Sequence, residues 1–558
     1  MNTKLSLLQK SFIIIAFCFS ILINAQGQAN CYRIYLADKA NSPYSIDSPL
    51  EYLSQRAIDK RERFNIAITE EDFPVNPSYT STILSCSNEI QLLSTSKWFN
   101  TITIYCPNSA VLQTIQDLDI VREIVPVAYY DISKSAAIAK TTEQTPNNSK
   151  SILKNTTVEY NYSHGEYVMY MHRGNLLHRA GFAGEGMLIA VLDAGWTGFD
   201  DAPFFQHVYE EGRVLGTRDL VPFNSDGSVY AASNHGTLVA SVMSPAVNGS
   251  FVGTAPQASY FFIRSEDIRT EQPIEEDFWA QAAEIADSIG ADVINSSLGY
   301  TTFHNFNEKE WTYADNDGVS SIASLAATKA VEKGIIVCSS AGNEGNKEWQ
   351  FVSRPADAFN ILSVGAVDWD SIKTPFSSIG PSYDGRIKPD VSSLGGATPA
   401  ISIGGDYIHV DGTSFSSPVV AGLSTCLWQA LPNKSASEVI QIIRESGHQA
   451  NNPDYILGYG IPDFYKAYLS EIGIKEYTTR QQINVFPNPC ETYCCITNTD
   501  ISIREIILYD ITGRVVKHHQ VNQESIIKID LSDLGSGTYI GKAKLKNGEG
   551  YFKIIKTK

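Results

Sequence analysis

The chain has 558 residues, room for roughly three to four domains of ~150 residues each, a length that excludes a disulfide-stapled mini-protein. Hydrophobic residues make up 43%, aromatic residues 11% and charged residues 19%, a globular composition that excludes a disordered chain. Lys and Arg number 43 against 61 Asp and Glu, and the formal charge of −18 repels nucleic acid and anionic membrane at long range, so no nucleic-acid partner is expected.

Residues 1–25 carry Lys4 and Lys10, then the apolar run Phe12 to Ile23, then Asn24-Ala25 before Gln26. A charged start, an apolar stretch and a small residue spell a cleaved signal peptide, and the run is shorter than the ~20 apolar residues of a membrane span. Export is therefore expected. It removes Cys18 from the nine cysteines and leaves Cys31, Cys86 and Cys106 in one region and Cys490, Cys494 and Cys495 in another, so local pairing leaves an odd thiol in each. No pair has the CxxC…CxxC spacing of a structural zinc site.

From 26 to 130, strand-like runs at 31–36, 99–106 and 120–127 mix with a helical stretch at 52–64, which reads as a small α+β domain. Residues 131–161 turn polar and lose all periodicity, as an exposed linker and proteolysis site does. From 162 to 474 apolar strand runs alternate with helical patterns, the signature of an α/β domain with a parallel sheet between helices. Phe278, Ala282, Ile285, Ala286 and Ile289 mark one such helix, ending at Gly290 and followed by the strand-like DVI at 292–294. A second polar joint at 475–483 precedes residues 484–558, where short β runs are separated by Thr512-Gly513, Gly535-Ser536-Gly537 and Asn547-Gly548, the pattern of an all-β sandwich.

Three segments of the middle region deliver a polar side chain from a strand end or a glycine turn. Asp193 closes the apolar run Met187 to Leu192, the usual place for ligands in an open α/β sheet, though a lone aspartate there is equally a turn former. His235 precedes Gly236 at the entry to an apolar helical pattern, where a lone histidine is more often structural. Ser414 tops the Gly412-Thr413 turn at the start of an apolar helix, where backbone N–H groups and the helix dipole favour developing negative charge; a bare GTS is also a common helix cap.

Taken together, in the order Asp, His, Ser, with HGTxVA around the histidine and GTSxxxP around the serine, the segments resemble the subtilisin-like serine peptidases of the S8 family over roughly residues 165–470. The resemblance implies that Ser414 is the nucleophile, His235 the general acid and base, and Asp193 the carboxylate that orients the histidine. Residues 335–345 match the family's strand and AGNEG turn, which implies Asn343 as an oxyanion donor beside the Ser414 N–H. By the same resemblance Ser297, Leu298 and Gly299 pair with the backbone of a polypeptide substrate, while Ser340, Ala341 and Gly342 wall the first pocket. Tyr300 stands where the family usually carries a second glycine. Glu344 reads as a rim charge or as a lure for a basic side chain, and Cys338 as a packed thiol.

The position and α+β pattern of residues 26–130 resemble the family's inhibitor-type propeptides, which implies an intramolecular inhibitor cut off within 131–161. Phe486-Pro487-Asn488-Pro489, Leu508 to Val516, Leu534 to Tyr539 and the terminal KIIK resemble the C-terminal sorting domain of type IX secretion cargo, which implies that secretion machinery as a partner and a secreted or cell-surface location. The chemistry requires no cofactor. Structural calcium is common in the family, but no DxDxDG segment fixes a site, so no metal ligand is assigned. Gly181, Gly184 and Gly186 precede a strand instead of following one, which argues against a phosphate loop. The expected function is a secreted serine endopeptidase. The rival is a catalytically silent adhesion protein that keeps the peptidase fold.

Overall fold

The computed structural model describes residues 29–130, 159–223, 228–303, 306, 310–473, 483–497, 503–521, 526–545 and 548–557. The expected signal peptide, most of the joint at 131–161 and all but the last residue of the joint at 475–483 lie outside the described residues. The chain divides into two units, Met1–Ile472 and Gly473–Lys558.

In the first unit, β1 (Cys31–Leu36), β2 (Gln91–Ser96), β3 (Thr101–Tyr105) and β4 (Val121–Ala128) form an antiparallel sheet of order β2-β3-β1-β4. Strand β2 escaped sequence reading because QLLSTS lacks a β-branched alternation; its pairing with β3 and packing on a helix make it a strand. A larger sheet contains β5 (Leu188–Asp193) and β6 (Val214–Asp219). After the short hairpin of β7 (Ala246–Val247) and β8 (Phe251–Val252) come β9 (Ser259–Arg264), β10 (Val293–Ser296), β11 (Ile336–Ser340), β12 (Leu362–Val367) and β13 (Val391–Leu394). The order is β13-β12-β11-β10-β5-β9-β6 and every pairing is parallel. Such strands are covered on both faces, and β5, β10, β11, β12 and β13 are buried throughout. Because β6 and β9 lie on one side of β5 and β10 to β13 on the other, the carboxyl ends of β5 and β10 flank the point where strand order reverses, where an open sheet leaves a crevice.

The helix Ile274–Ile289 joins the two sheets. Of the apolar face read from the sequence, Phe278, Ala282 and Ala286 are fully buried and Ile285 and Ile289 half-buried. Its other face, with Asp277, Gln281, Glu284 and Asp287, is polar, yet the N-terminal sheet covers it. Arg33 forks onto both oxygens of Asp277 at 2.6 and 2.7 Å, and Ser94 Oγ donates to Gln281 at 2.9 Å. Glu284 accepts from Ser96 Oγ at 2.5 Å and from the Lys97 and Trp98 N–H groups at 2.8 and 3.0 Å. Arg61 reaches both Asp72 in its own domain and Asp287 across the interface, and Lys97 meets Asp287 at 2.9 Å. At the carboxyl end of the helix, where the dipole is negative, Arg56 and Lys60 donate to the carbonyls of Gly290 and Ala291 at 2.9 and 2.6 Å. Gly290 has φ +80, and a Cβ there would lie 2.7 Å from the Ala57 nitrogen, so both the helix end and the close approach require glycine.

The Arg61 side chain is 1% exposed and Asp72 and Asp287 no more so. Removing the cation leaves Asp72 with Lys333 alone and Asp287 with Lys97 alone in a dry interface, a change that costs up to ~3–5 kcal/mol. Arg61→Met is therefore expected to destabilise the first unit by about that amount. Urea unfolding of the full chain measures it, and a loss below ~1 kcal/mol would mean that these charges are screened as surface pairs are.

The second unit holds a three-stranded sheet, β16 (Asn484–Phe486), β17 (Tyr493–Thr497) and β20 (Ile526–Asp530), and a four-stranded sheet of order β19-β18-β21-β22. In the latter, β18 is Ile503–Tyr509, β19 Val515–Gln520, β21 Gly537–Leu545 and β22 Gly548–Lys556. One apolar core draws on both sheets, including Ile496, Ile506, Ile527 and Ile554. The FPNP motif has a structural purpose, because Asn488 Nδ2 donates to the Lys553 carbonyl at 2.7 Å while its Oδ1 accepts the Ile555 N–H at 2.8 Å. The vicinal cysteines alternate along β17, so Cys494 enters the core and Cys495 faces the other way. All eight cysteines among the described residues are free thiols.

Candidate active site

Asp193 ends β5 with its carboxylate fully buried. Its Oδ1 accepts the Ala194 N–H at 2.7 Å and lies 2.8 Å from His235 Nδ1. His235 is the first residue of the helix His235–Met243. This meeting depends on two glycines: the Gly236 N–H donates to the Gly195 carbonyl at 2.9 Å, and a Cβ on Gly236 would lie 2.6 Å from that oxygen. Only glycine lets the strand end and the helix start approach so closely. Burial lowers the His235 pKa, but the Asp193 charge and hydrogen bond outweigh it, so the imidazole titrates above its ordinary value. Its side chain is 34% exposed, enough to face a cleft.

Ser414 lies in the first turn of the buried helix Thr413–Ala430, after Gly412 at φ +146. The next residue, Phe415, packs its ring against the His235 imidazole with centroids 5.8 Å apart, which brings the serine turn to the histidine. The Ser414 hydroxyl donates to the Ser297 carbonyl across a long 3.3 Å. Its N–H, in the first helical turn, has no intrahelical acceptor. Asn343 approaches from the turn after β11, where its Oδ1 accepts both the Thr413 N–H and the Thr413 hydroxyl at 3.0 Å. With the oxygen spent twice, the Nδ2 amide is left to donate elsewhere.

Strands β10 and β11 are paired only as far as Ser296 and Ser339, and the predicted substrate segments follow directly. Ser297, Leu298 and Gly299 continue from β10; Ser340 ends β11, and Ala341 and Gly342 continue from it. The Ser340 hydroxyl donates to the Leu298 carbonyl at 3.3 Å, joining the two. A Cβ on Gly299 would lie 2.1 Å from Ser353 Oγ and one on Gly342 2.9 Å from it, so Ser353, missed in the sequence, packs against both glycines and leaves neither room for a side chain. Tyr300 turns into the core and is fully buried, with its hydroxyl toward the Glu275 carbonyl at 3.4 Å. Glu344 pairs with Lys347 at 3.0 Å, the behaviour of a rim charge. Cys338 is fully buried, and burial raises its pKa.

Among the described residues one carboxylate trio has metal-like spacing: Glu266, Glu271 and Glu275, with ligand atoms within 4.8 Å of one another. Burial raises all three pKa values and the carboxylates' mutual repulsion adds to the effect at Glu266 and Glu275, while Glu271 rises to about 7. Glu275 already accepts the Asp267 and Gln272 N–H groups at 3.0 and 2.9 Å. Calcium takes ~6–8 oxygens, so this trio does not fit it unaided.

Residues 184–460 match the subtilase family model, and residues 31–147 match that of the peptidase S8 propeptide domain of Bacteroidota. The chain belongs to the subtilase family. Residues 484–557 of this subtilase match the secretion system C-terminal sorting domain. The subtilase is 26% identical over 362 residues to the thermostable alkaline protease of Halalkalibacterium halodurans, covering 64% of this chain and 88% of that one. It is 25% identical over 300 residues to serine protease AprX of Bacillus subtilis, covering 49% of this chain and 63% of the relative. In fold it resembles the epidermin leader peptide processing serine protease of Staphylococcus aureus, with TM-score 0.53, 16% identity, 81% of this chain and all of the other covered. The protein is thus a subtilisin-like serine endopeptidase with a propeptide, and its type IX sorting domain marks it for export to a secreted or cell-surface location.

Proposed function

We propose that this subtilase cleaves polypeptides through Asp193, His235 and Ser414 by way of an acyl-enzyme. The observation that carries the reading is the 2.8 Å bond between Asp193 Oδ1 and His235 Nδ1. It holds the imidazole with Nδ1 protonated and leaves Nε2 as a base. In the reaction Nε2 takes the Ser414 hydroxyl proton as Oγ attacks the scissile carbonyl, and the buried Asp193 carboxylate stabilises the imidazolium that forms. The carbonyl oxygen, now negative, is met by Asn343 Nδ2 and the Ser414 N–H. Collapse passes the proton from His235 to the leaving amine, and a water molecule repeats the sequence on the acyl-enzyme. The substrate lies extended along Ser297-Leu298-Gly299 as an added strand, and Ser340-Ala341-Gly342 walls the first pocket. These steps use side chains, backbone N–H groups and the hydrolytic water.

A fluorophosphonate reacts only with an activated serine. Labelling of the processed protein, read by peptide mass spectrometry, is expected at Ser414. An unlabelled Ser414 in folded protein would favour the silent adhesion protein instead. Asn343→Ala is expected to lower kcat by ~10²–10³ with little change in KM, since the amide meets charge that exists only in the transition state. A loss in KM alone, in steady-state peptide kinetics, would assign Asn343 to ground-state binding.

A further inference from the structure

Pro418 lies inside the helix Thr413–Ala430. A proline nitrogen carries no hydrogen, and its ring presses on the carbonyl four residues back. That carbonyl belongs to Ser414, so the residue that carries the nucleophile is denied the helical hydrogen bond its carbonyl would otherwise accept. In this buried turn a donor must come from elsewhere.

It comes from the central strand. Ser297 Oγ donates to the Ser414 carbonyl at 2.8 Å. Ser297 Oγ in turn accepts from Asn295 Nδ2 at 3.2 Å, and Asn295 Oδ1 accepts from Ser417 Oγ at 2.9 Å. The donors run one way, from Ser417 through Asn295 and Ser297 to Ser414, so a single hydroxyl hydrogen at Ser297 is committed to the Ser414 carbonyl. Asn295 and Ser417 are fully buried and Ser297 is 5% exposed, which keeps water from competing. Asn295 belongs to β10, which pairs with β5 on one side and β11 on the other. The relay therefore anchors the first turn of the serine helix to a strand held on both edges, and the Ser297 carbonyl also receives the Ser414 hydroxyl.

We propose that Ser297 and Asn295 are positioning residues: through the Ser297 hydroxyl they tie down the carbonyl that Pro418 leaves free, and so fix the direction in which Ser414 presents its nucleophile to His235. This side-chain task is separate from the pairing of the Ser297 backbone with substrate. It rests on Ser414 being the nucleophile.

The test is a rescue. Ser297→Ala, Ser297→Thr, Pro418→Ala and the double variant S297A/P418A are made in the full chain, and kcat, KM and the rate of fluorophosphonate labelling at Ser414 are measured on the processed proteins. A misdirected nucleophile is expected to lower kcat and labelling of S297A ~10-fold, with KM within ~twofold. Ser297→Thr keeps the hydroxyl and is expected to recover most of the kcat and labelling that S297A loses. Pro418→Ala supplies the missing helical N–H, so S297A/P418A is expected to recover to within ~threefold of P418A. Simple packing by Ser297 predicts no such recovery. If S297A does not fold, Ser297→Cys, a weaker donor of similar shape, replaces it with the same order of rates. A double variant no faster than the product of the two single effects, or a S297A enzyme with unchanged kcat, overturns the proposal. A wild-type chain unlabelled at Ser414 overturns both this relay and the assignment of the nucleophile; a labelled wild type without rescue overturns the relay alone.

Discussion

Ser414→Ala is expected to lower kcat for peptide hydrolysis ~10⁶-fold, because His235 and Asp193 can do nothing for the reaction without the hydroxyl they activate. What remains is the catalysis that Asn343 and binding supply to water, ~10³–10⁴ over the uncatalysed rate. The same change is expected to leave the propeptide attached if the enzyme releases it itself. Intact mass and peptide turnover are read from one preparation. Near-normal turnover in the variant would remove Ser414 from the chemistry, and a processed but inactive chain would assign maturation to another protease.

The second large effect belongs to Asp193. His235 must be neutral to accept the serine proton, so kcat/KM is expected to fall as pH drops through the imidazole pKa, and the Asp193 charge places that fall above the ordinary histidine value of ~6.5. Asp193→Asn removes the charge that raises the pKa and leaves the burial that lowers it. The midpoint of the acid limb is expected to move down, while kcat drops ~10⁴-fold because an amide no longer selects the tautomer with a basic Nε2. A pH profile of kcat/KM for both proteins separates the two effects. An acid limb that does not move would mean that another group sets it.

The sequence made the site legible because its chemistry is local in spelling even though distant in space. Asp193, His235 and Ser414 each sit at the junction of an apolar run and a glycine, and those junctions are where strands and helices end. The parallel sheet was legible for the same reason, since a strand covered on both faces cannot hide its apolar run. The covered face of the helix Ile274–Ile289 was not legible. Asp277, Glu284 and Asp287 have the composition of a solvated surface, and the opposing Arg33, Arg61, Ser96 and Lys97, far away in the chain, make it an interface. Strand β17 was hidden although Tyr493, Ile496 and Thr497 favour strands, because the run is short and its partner β20 lies about thirty residues on. Ser353 was beyond reach as well, because its place between Gly299 and Gly342 is set by the fold and leaves no local mark.

The charged seam between propeptide and peptidase also bears on partner choice. Apolar contacts tolerate any propeptide of roughly the right shape, whereas a guanidinium seated between two sunken carboxylates rejects a mismatched one, since an unmatched charge there is costly. A propeptide borrowed from a related enzyme but lacking counterparts of Arg33, Arg61 and Lys97 would strand Asp277 and Asp287 in a dry seam. In a cell that exports several proteases of this architecture, each would then seat its own propeptide and few others.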